Sequence, residues 1–220
     1  MELRFSPLFS GSSGNAIYVG CDDAQILVDA GMSGTRVIQE LLRVGVDPAS
    51  LDAILVTHEH ADHFDRMALT QLVSSNTVVF SNPNVGRLYG NARVMKNGEK
   101  VVFGDSITLE AVPAYNTTPG REQMHPKGRD NGYILTLDGL RIYVAGDTED
   151  IPEMADIKNI DIAFLPCNQP YTMTTDQLGR AAKTIRPKVL FPYHYNNTPV
   201  SRIKVQLSGS GIDVRIRNYQ

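Results

Sequence analysis

The 220-residue sequence contains little cysteine, since Cys21 and Cys167 are the only two. Two cysteines are too few for a disulfide framework, and these two lack the Cys-x-x-Cys spacing of many metal sites. We therefore interpret them as two unrelated, reduced thiols. No apolar run approaches the roughly 20 residues that span a bilayer, and Met1–Phe5 lacks the basic and then apolar layout of a secretion signal. Both absences lead us to expect a cytoplasmic protein that does not enter a membrane.

An excess of positive charge is also missing, because 21 basic side chains are set against 24 acidic ones for a net charge of −3. Proteins that bind long nucleic acid gain much of their affinity from cations that displace counterions, and this chain has no global positive field for that purpose. With 42% hydrophobic residues, 18 Gly and 12 Pro, the composition is that of a globular protein rich in turns. The length suits a single domain over residues 1–220.

The pattern of predicted elements changes near Lys96. Before it, apolar strands such as Arg4–Phe9 and Ala53–Thr57 alternate with helices, one of which is predicted by the apolar spacing between Ser33 and Val44. From Lys96 onward, apolar runs bounded by Gly and Asp predict mainly strands, the last of them at Val214–Ile216. The sequence therefore predicts an α/β fold in which a second sheet begins near residue 96.

The densest group of metal-binding side chains follows the predicted strand Ala53–Thr57. The next six residues are His58, Glu59, His60, Ala61, Asp62 and His63. Imidazole and carboxylate together are the ligand set for zinc, manganese or iron. His58 and His60 point to the same side if their segment is extended, whereas Asp62 and His63 require the chain to bend after Ala61. One loop could therefore supply donors to two adjacent metal ions.

The arrangement His-x-His-x-Asp-His after an apolar strand resembles the signature of the metallo-β-lactamase superfamily. Two further motifs occur in the family's order, Gly146-Asp147-Thr148 and the histidine His194 after Phe191-Pro192-Tyr193. The segment from Tyr115 onward is similar to the branch that includes ascorbate-6-phosphate lactonase. The first third is more similar to small bacterial exonuclease-like and phosphodiesterase-like proteins.

The resemblance implies a four-layer αββα sandwich, with two mixed β-sheets flanked by helices, and activity as a metal-dependent hydrolase. It also implies two divalent metal ions, zinc first, with manganese or iron as alternatives. In the family's pattern His58 and His60 bind the first ion. The second is bound by Asp62, His63 and His194, and Asp147 bridges the two.

The sequence departs from the family at Asn116, where a further histidine for the first ion is expected. This difference implies a weaker first site, in which Asn116 binds through its carbonyl oxygen or leaves a place to water, substrate or His125. We expect His125 to be a substrate-loop residue first and a metal ligand second, because His125-Pro126-Lys127-Gly128 places a basic residue nearby, as a phosphate pocket would.

The long segment between Pro113 and Gly132 carries three cations that favour an anionic substrate: Arg121, Lys127 and Arg129. Tyr195 and Asn196, beside His194, are candidate donors to that substrate. The leading hypothesis is that an activated water attacks an ester, lactone or phosphoester of a small anionic molecule, with Asp62 and Asp147 as catalytic carboxylates that orient the nucleophile.

Three alternatives remain open at this stage. The first is a nuclease or phosphodiesterase that acts on nucleic-acid ends. The second is a redox protein that uses iron, and the third is a non-catalytic protein whose first metal site is incomplete. The sequence leaves the oligomeric state open.

Overall fold

The computed structural model describes residues 3–104 and 107–218. The chain forms two compact units, of which the first ends at Met95 and the second begins at Lys96. This boundary confirms the predicted change of pattern near Lys96. The expectation of one domain over residues 1–220 stays a prediction, and the two units are described separately below.

The N-terminal unit contains a mixed sheet in the order β1-β2-β3-β4-β5-β6 among its described residues. Its strands are β1 (Arg4–Phe9), β2 (Ala16–Cys21), β3 (Ala24–Val28), β4 (Ala53–Val56), β5 (Val78–Ser81) and β6 (Arg93–Val94). The first three strands pair antiparallel, and β3 to β6 pair parallel. Every residue of β4 is buried, as expected for a uniformly apolar strand that is covered on both faces.

Three helices accompany this sheet: α1 (Gly34–Arg43), α2 (Arg66–Leu72) and α3 (Pro83–Tyr89). The helix predicted after Ser33 is therefore confirmed. Side-chain oxygens cap the other two, since Asp65 accepts from the first turn of α2 and Asn82 accepts from that of α3. The loop between β4 and α2, residues 57–65, carries His58, His60 and His63 and is called the histidine loop below. The Asp65 cap fixes the end of this loop and so limits its conformational freedom.

The C-terminal unit contains a second mixed sheet, in the order β13-β12-β11-β10-β9-β8-β7 among its described residues. Its strands are β7 (Lys100–Phe103), β8 (Ile107–Ala114), β9 (Asp130–Leu137), β10 (Leu140–Val144), β11 (Ile162–Pro166), β12 (Val189–Tyr193) and β13 (Asp213–Val214). Strands β7 to β10 pair antiparallel, and β10 to β13 pair parallel.

Two helices belong to this unit, α4 (Thr175–Ile185) and α5 (Ser201–Gln206). A capping box formed by Thr174 and Gln177 starts α4, which satisfies two amide groups at its first turn. The longest helix of the described residues has 11 residues, and none is long and apolar enough to cross a bilayer. The cytoplasmic location stays a prediction.

The two mixed sheets, each accompanied by helices, confirm the predicted α/β class. The final strand is placed differently from the prediction, because β13 comprises Asp213 and Val214 only. These residues pair with the start of β12, and Arg215 adds one further backbone hydrogen bond to Leu190 before the ladder ends. The sequence also gave no sign of the short 3₁₀ turns at Pro48–Ser50 and Pro152–Asp156.

Candidate metal centre

The histidine loop begins where two neighbouring parallel strands end. Thr57 follows β4, and Asp29 follows β3 with a left-handed φ of 63°, a conformation that Asp adopts more easily than most residues. The Asp29 carboxylate accepts hydrogen bonds from the Thr57 amide at 2.8 Å and from its hydroxyl at 2.9 Å. Asp29 therefore holds the first residue of the loop, a role that the sequence did not reveal.

Hydrogen bonds at Nδ1 orient two of the imidazoles. His63 Nδ1 lies 2.7 Å from Asp29 Oδ2, and both side chains are buried. His58 Nδ1 lies 3.0 Å from the hydroxyl oxygen of Thr57, which donates its own proton to Asp29 and can accept the one on His58. With Nδ1 engaged in this way, Nε2 of each ring is the nitrogen that could bind a metal ion, which is the usual arrangement of a histidine ligand that is oriented by a second polar group.

The four predicted donors of the N-terminal unit lie together. The ring centroids of His58 and His60 are 4.7 Å apart, and those of His58 and His63 are 4.2 Å apart. The amides of His63 and Phe64 both donate to the carbonyl of His60, so the chain bends after Ala61 as predicted. This bend places Asp62 Oδ2 at 3.6 Å from His63 Nε2.

Asn15 and Gly31 contact the backbone of this bend and support it. The Asn15 amide donates to the carbonyl of Asp62 at 2.7 Å, and its side-chain nitrogen lies 3.1 Å from His63 Nε2. At Gly31, a Cβ atom would lie 1.8 Å from the same carbonyl oxygen, so only glycine fits. The sequence signal for this support was the run of small residues from Ser10 to Asn15.

In the C-terminal unit, two donors follow strands of the parallel part of the sheet. Asp147 follows β10 after Gly146, and His194 follows β12 with a left-handed φ of 54°. Because the carboxyl ends of parallel strands meet at one edge of a sheet, the two side chains come together, with Asp147 Oδ2 at 3.6 Å from His194 Nε2. Asn168, which follows β11, places its side-chain nitrogen 3.5 Å from His194 Nδ1.

His125 joins this pair, although it lies in the long segment before β9. It is only 1% exposed, and its Nε2 lies 3.5 Å from Asp147 Oδ2. Its Nδ1 lies 2.9 Å from Oδ2 of the buried Asp130. The Asp130 carboxylate also accepts a hydrogen bond from Arg129 Nε at 2.6 Å. We did not identify Asp130, the first residue of β9, as a partner of His125 from the sequence. An acidic residue that opens a strand five residues after a histidine was the available signal.

The spacing of these donor atoms fits ligands that share an ion. Asp62 with His63, His125 with Asp147, and Asp147 with His194 give three oxygen-to-nitrogen distances of 3.5 to 3.6 Å. These distances are longer than good hydrogen bonds. Ligands at 2.0–2.1 Å from a tetrahedral ion lie about 3.4 Å apart, so the observed spacings suit metal coordination. Imidazole and carboxylate groups are also the donor types that zinc prefers.

A family model described as the β-lactamase superfamily domain matches residues 24–195, which include all the donors described above. The chain belongs to the metallo-β-lactamase superfamily of metal-dependent hydrolases. A relative named UPF0173 metal-dependent hydrolase, from Roseiflexus castenholzii, is 30% identical over 211 residues, which cover 87% of this chain and 85% of the relative.

Solved structures agree with this assignment. A candidate metal-dependent hydrolase from Parabacteroides distasonis is 44% identical, with a TM-score of 0.84 and coverage of 100% of both chains. The metallo-β-lactamase fold protein YhfI from Bacillus subtilis is 16% identical, with a TM-score of 0.78 and coverage of 99% of this chain and 96% of that one. The second similarity shows a shared fold.

In this superfamily member, Asn116 closes the base of the loop that carries His125. Its amide donates to the His125 carbonyl at 2.9 Å, and its side-chain nitrogen donates to the Tyr171 carbonyl at 2.8 Å. Its Oδ1 is buried and accepts no hydrogen bond from the residues described. Asn116 therefore supports the loop with its nitrogens, and its oxygen is an acceptor available to a ligand.

Glu149, which the sequence did not single out, holds the next part of the same loop. Its buried carboxylate accepts from the amides of Thr117 and Thr118 at 2.8 Å and 2.7 Å, and from the Thr117 hydroxyl at 3.0 Å. Burial alone would raise the pKa of Glu149, but the hydrogen bonds from Thr118 and Thr117 lower it below the ordinary value. Glu149 is therefore an ionised anchor of this loop.

The three cations of the loop each have a partner. Arg121 donates to the side-chain oxygen of Gln169, and Lys127 lies 2.8 Å from Glu153. Arg129 is bound to the buried carboxylate that orients His125, as described above. Of the three cations expected to favour an anionic substrate, Arg121 and Lys127 therefore remain the better candidates, with side chains that are 30% and 67% exposed.

The remaining candidates differ in their environment. Tyr195 is half-buried and donates its hydroxyl proton to the carbonyl of Arg217, whereas Asn196 is exposed with a left-handed φ of 43°. Cys21 and Cys167 are buried free thiols, in line with two reduced cysteines. Burial raises the pKa of Cys167 to about 12, so this thiol stays protonated and is a poor nucleophile.

Proposed function

We propose that seven donors bind two divalent metal ions, with zinc as the first choice. The first ion is assigned to His58, His60 and His125, the second to Asp62, His63 and His194, and Asp147 is shared by both. The observation that carries this proposal is the position of Asp147 Oδ2, at 3.5 Å from His125 Nε2 and 3.6 Å from His194 Nε2. A carboxylate oxygen between two imidazole nitrogens is suited to bridging.

The surroundings of His125 support its assignment as a ligand ahead of a role in the substrate loop. A substrate-binding imidazole needs contact with solvent, whereas His125 is 1% exposed and its Nδ1 is occupied by Asp130. In this assignment, His125 replaces the histidine that is expected at Asn116, nine residues later in the chain. The non-catalytic alternative depended on an incomplete first site, and the assignment of His125 to that site argues against it.

Hydrolysis is the chemistry that these residues would support. Two such ions, when bound, would lower the pKa of a bound water to about 7 and would polarise the carbonyl or phosphoryl oxygen of the substrate. Asp62, whose side chain is 20% exposed, is placed to orient the attacking water and to accept its proton. Asp29, Thr57 and Asp130 hold the imidazoles in place, so that little rearrangement is needed during the reaction.

We infer that the substrate is an ester, lactone or phosphoester of a small anionic molecule. Lys127 is 67% exposed, so an anionic group can compete with Glu153 for its ammonium, and Arg121 lies in the same loop. Tyr195 and Asn196 remain candidate contacts beside His194. The net charge of −3 disfavours long nucleic acid, which keeps nuclease or phosphodiesterase activity on nucleic-acid ends in second place.

Metal stoichiometry tests the assignment of His125. We expect two ions per chain in the wild-type protein, one in His125→Ala, and two in Asn116→Ala, because the asparagine nitrogens serve the loop. Elemental analysis of the purified proteins, with zinc, manganese and iron measured on each sample, gives the result. Loss of an ion in Asn116→Ala, with both ions kept in His125→Ala, would contradict the proposal.

An activity screen tests the reaction class. Metal-loaded protein is assayed with bis(p-nitrophenyl) phosphate, a set of lactones and labelled oligonucleotides, with and without oxygen to detect redox chemistry. Asp62→Ala/Asp147→Ala should abolish the hydrolysis observed. Undiminished turnover in that double variant would show that the two carboxylates do not act in catalysis.

A further inference from the structure

A basic groove lies at the other end of the C-terminal unit from Asp147 and His194. These two follow the carboxyl ends of β10 and β12, whereas the groove is formed at the amino ends of the parallel strands. Its walls include Arg141 near the start of β10, Lys158 before β11 and Lys188 before β12. A five-residue strand is roughly 16 Å long, so the groove is a separate place on this unit.

The charge of this groove is opposite to that of the chain as a whole. It is lined by five of the 21 basic side chains, Arg141, Lys158, Lys183, Arg186 and Lys188, and by one of the 24 acidic ones, Asp161. The chain carries a net charge of −3. The groove is therefore positively charged although the chain as a whole is negatively charged, and this local charge attracts anions.

Only part of this charge is neutralised by the protein. Lys188 lies 2.7 Å from Asp161, and Arg141 lies 2.8 Å from Glu110. By contrast, no carboxylate among the described residues lies within 4.0 Å of Lys158, Lys183 or Arg186. Arg141 also keeps a buried Nε donor that has no acceptor in the described part of the chain. Three cations of the groove are thus left without a carboxylate partner among the described residues.

The size of the groove suits a small molecule. Its volume is about 790 Å³, within the roughly 300–1,000 Å³ of small-molecule sites. Ile160 and Ile185 also line the groove, but they are only 2% and 3% exposed and add little to the surface open to a ligand. Lys183 and Arg186 also line an adjoining depression next to Ser208 and Ser210, which extends the polar surface.

We propose that this groove binds a phosphorylated small molecule of about nucleotide size, with the phosphate between Lys158, Lys183 and Arg186. Lys and Arg side chains make strong, charge-assisted hydrogen bonds to phosphate oxygens. The site is independent of the metal donors.

Titration of the isotope-labelled, metal-loaded protein with adenosine monophosphate, followed by backbone amide NMR, tests the proposal. We expect saturable shifts at residues 139–141, 158–161 and 183–188, and none at these positions with adenosine, which has no phosphate. Absence of saturable shifts at millimolar adenosine monophosphate, or shifts confined to the neighbourhood of Asp147 and His194, would overturn it.

A matched pair of double variants separates a specific site from general attraction. Lys158→Gln/Lys183→Gln removes two cations from the groove, and Arg202→Gln/Lys204→Gln removes two exposed cations from α5, outside it. We expect the first variant to weaken binding about tenfold and the second less than about twofold, since the lost bonds are charge-assisted. Equal weakening of adenosine monophosphate binding in both variants would show general electrostatic attraction and would refute a specific site. All four side chains are exposed, and thermal unfolding should confirm that both variants fold.

Discussion

Substitution of Asp130 by Asn tests how this protein positions His125, the proposed metal ligand that lies far from the histidine cluster in the sequence. Asp130 is fully buried, and its two carboxylate oxygens serve both His125 Nδ1 at 2.9 Å and Arg129 Nε at 2.6 Å. Asparagine has the same shape but only one acceptor oxygen. Its amide must therefore face either the imidazole N–H or the guanidinium, donor against donor.

The size of the effect follows from the bonds that are lost. A hydrogen bond to a charged group contributes about 1.5–3 kcal/mol to stability, and the change removes one such bond and weakens another. We expect the metal-free protein to lose about 3 kcal/mol of unfolding free energy. Polar partners that orient a metal-binding histidine typically affect metal affinity by about 10–100-fold, and we expect a loss in that range at the site of His125.

The assay measures metal affinity by competition with a chelator, together with denaturant unfolding of the metal-free proteins. Glu110→Gln is the control, because Glu110 also binds an arginine, Arg141 at 2.8 Å, and its other ion pair is with Lys100 and not with a histidine. The control should lose little stability and no metal affinity. If Asp130→Asn bound metal as tightly as the wild type, the carboxylate would not be positioning His125, and the assignment of that ligand would fall with it.

Four further outcomes follow from contacts described above. Arg129→Gln should lower metal affinity and leave KM nearly unchanged, because its guanidinium binds the carboxylate that holds His125; a raised KM with normal metal content would restore its role in substrate binding. Gly31→Ala should destabilise the fold by several kcal/mol in thermal unfolding, since a Cβ would lie 1.8 Å from a carbonyl oxygen. Glu149 has a lowered pKa in the folded state, so the stability it adds over Glu149→Gln should be present at pH 7 and decline as the pH falls below its ordinary value of 4.5; a difference that stays constant down to pH 3 contradicts this sign. Cys167, with a pKa of about 12, should resist alkylation at pH 8 until the protein unfolds, as mass spectrometry can show.

Local chemistry explains why most elements were predictable. The uniformly apolar strand β4, the helix after Ser33 and the change of pattern at Lys96 each depend on neighbouring residues, and all three were found at the expected positions. The end of β13 was not, because strand length there depends on pairing with β12 and not on the apolar character of Ile216. Pairing across a sheet joins residues that are distant in sequence, which single-sequence patterns do not contain.

The donors show the same division between local and distant information. The six-residue spacing from His58 to His63 contained its own signal, as imidazoles and carboxylates crowded after a buried strand. Asp29, Asn15 and Asp130 carried no such signal, since an isolated Asp or Asn is typical of turns and caps. Their contacts with the imidazoles exist only after strands or loops that are distant in the chain have been brought together.

The sequence by itself determined the family and the α/β class and predicted six metal donors, because those depend on residue type, order and spacing along the chain. Only the tertiary structure decided that His125 lies beside Asp147, that Arg129 binds Asp130 instead of standing free for a substrate, and that Asn116 serves the loop. The physical reason is that a side chain's role is set by its nearest polar neighbours. For these residues the fold, and not the local order of the chain, supplies those neighbours.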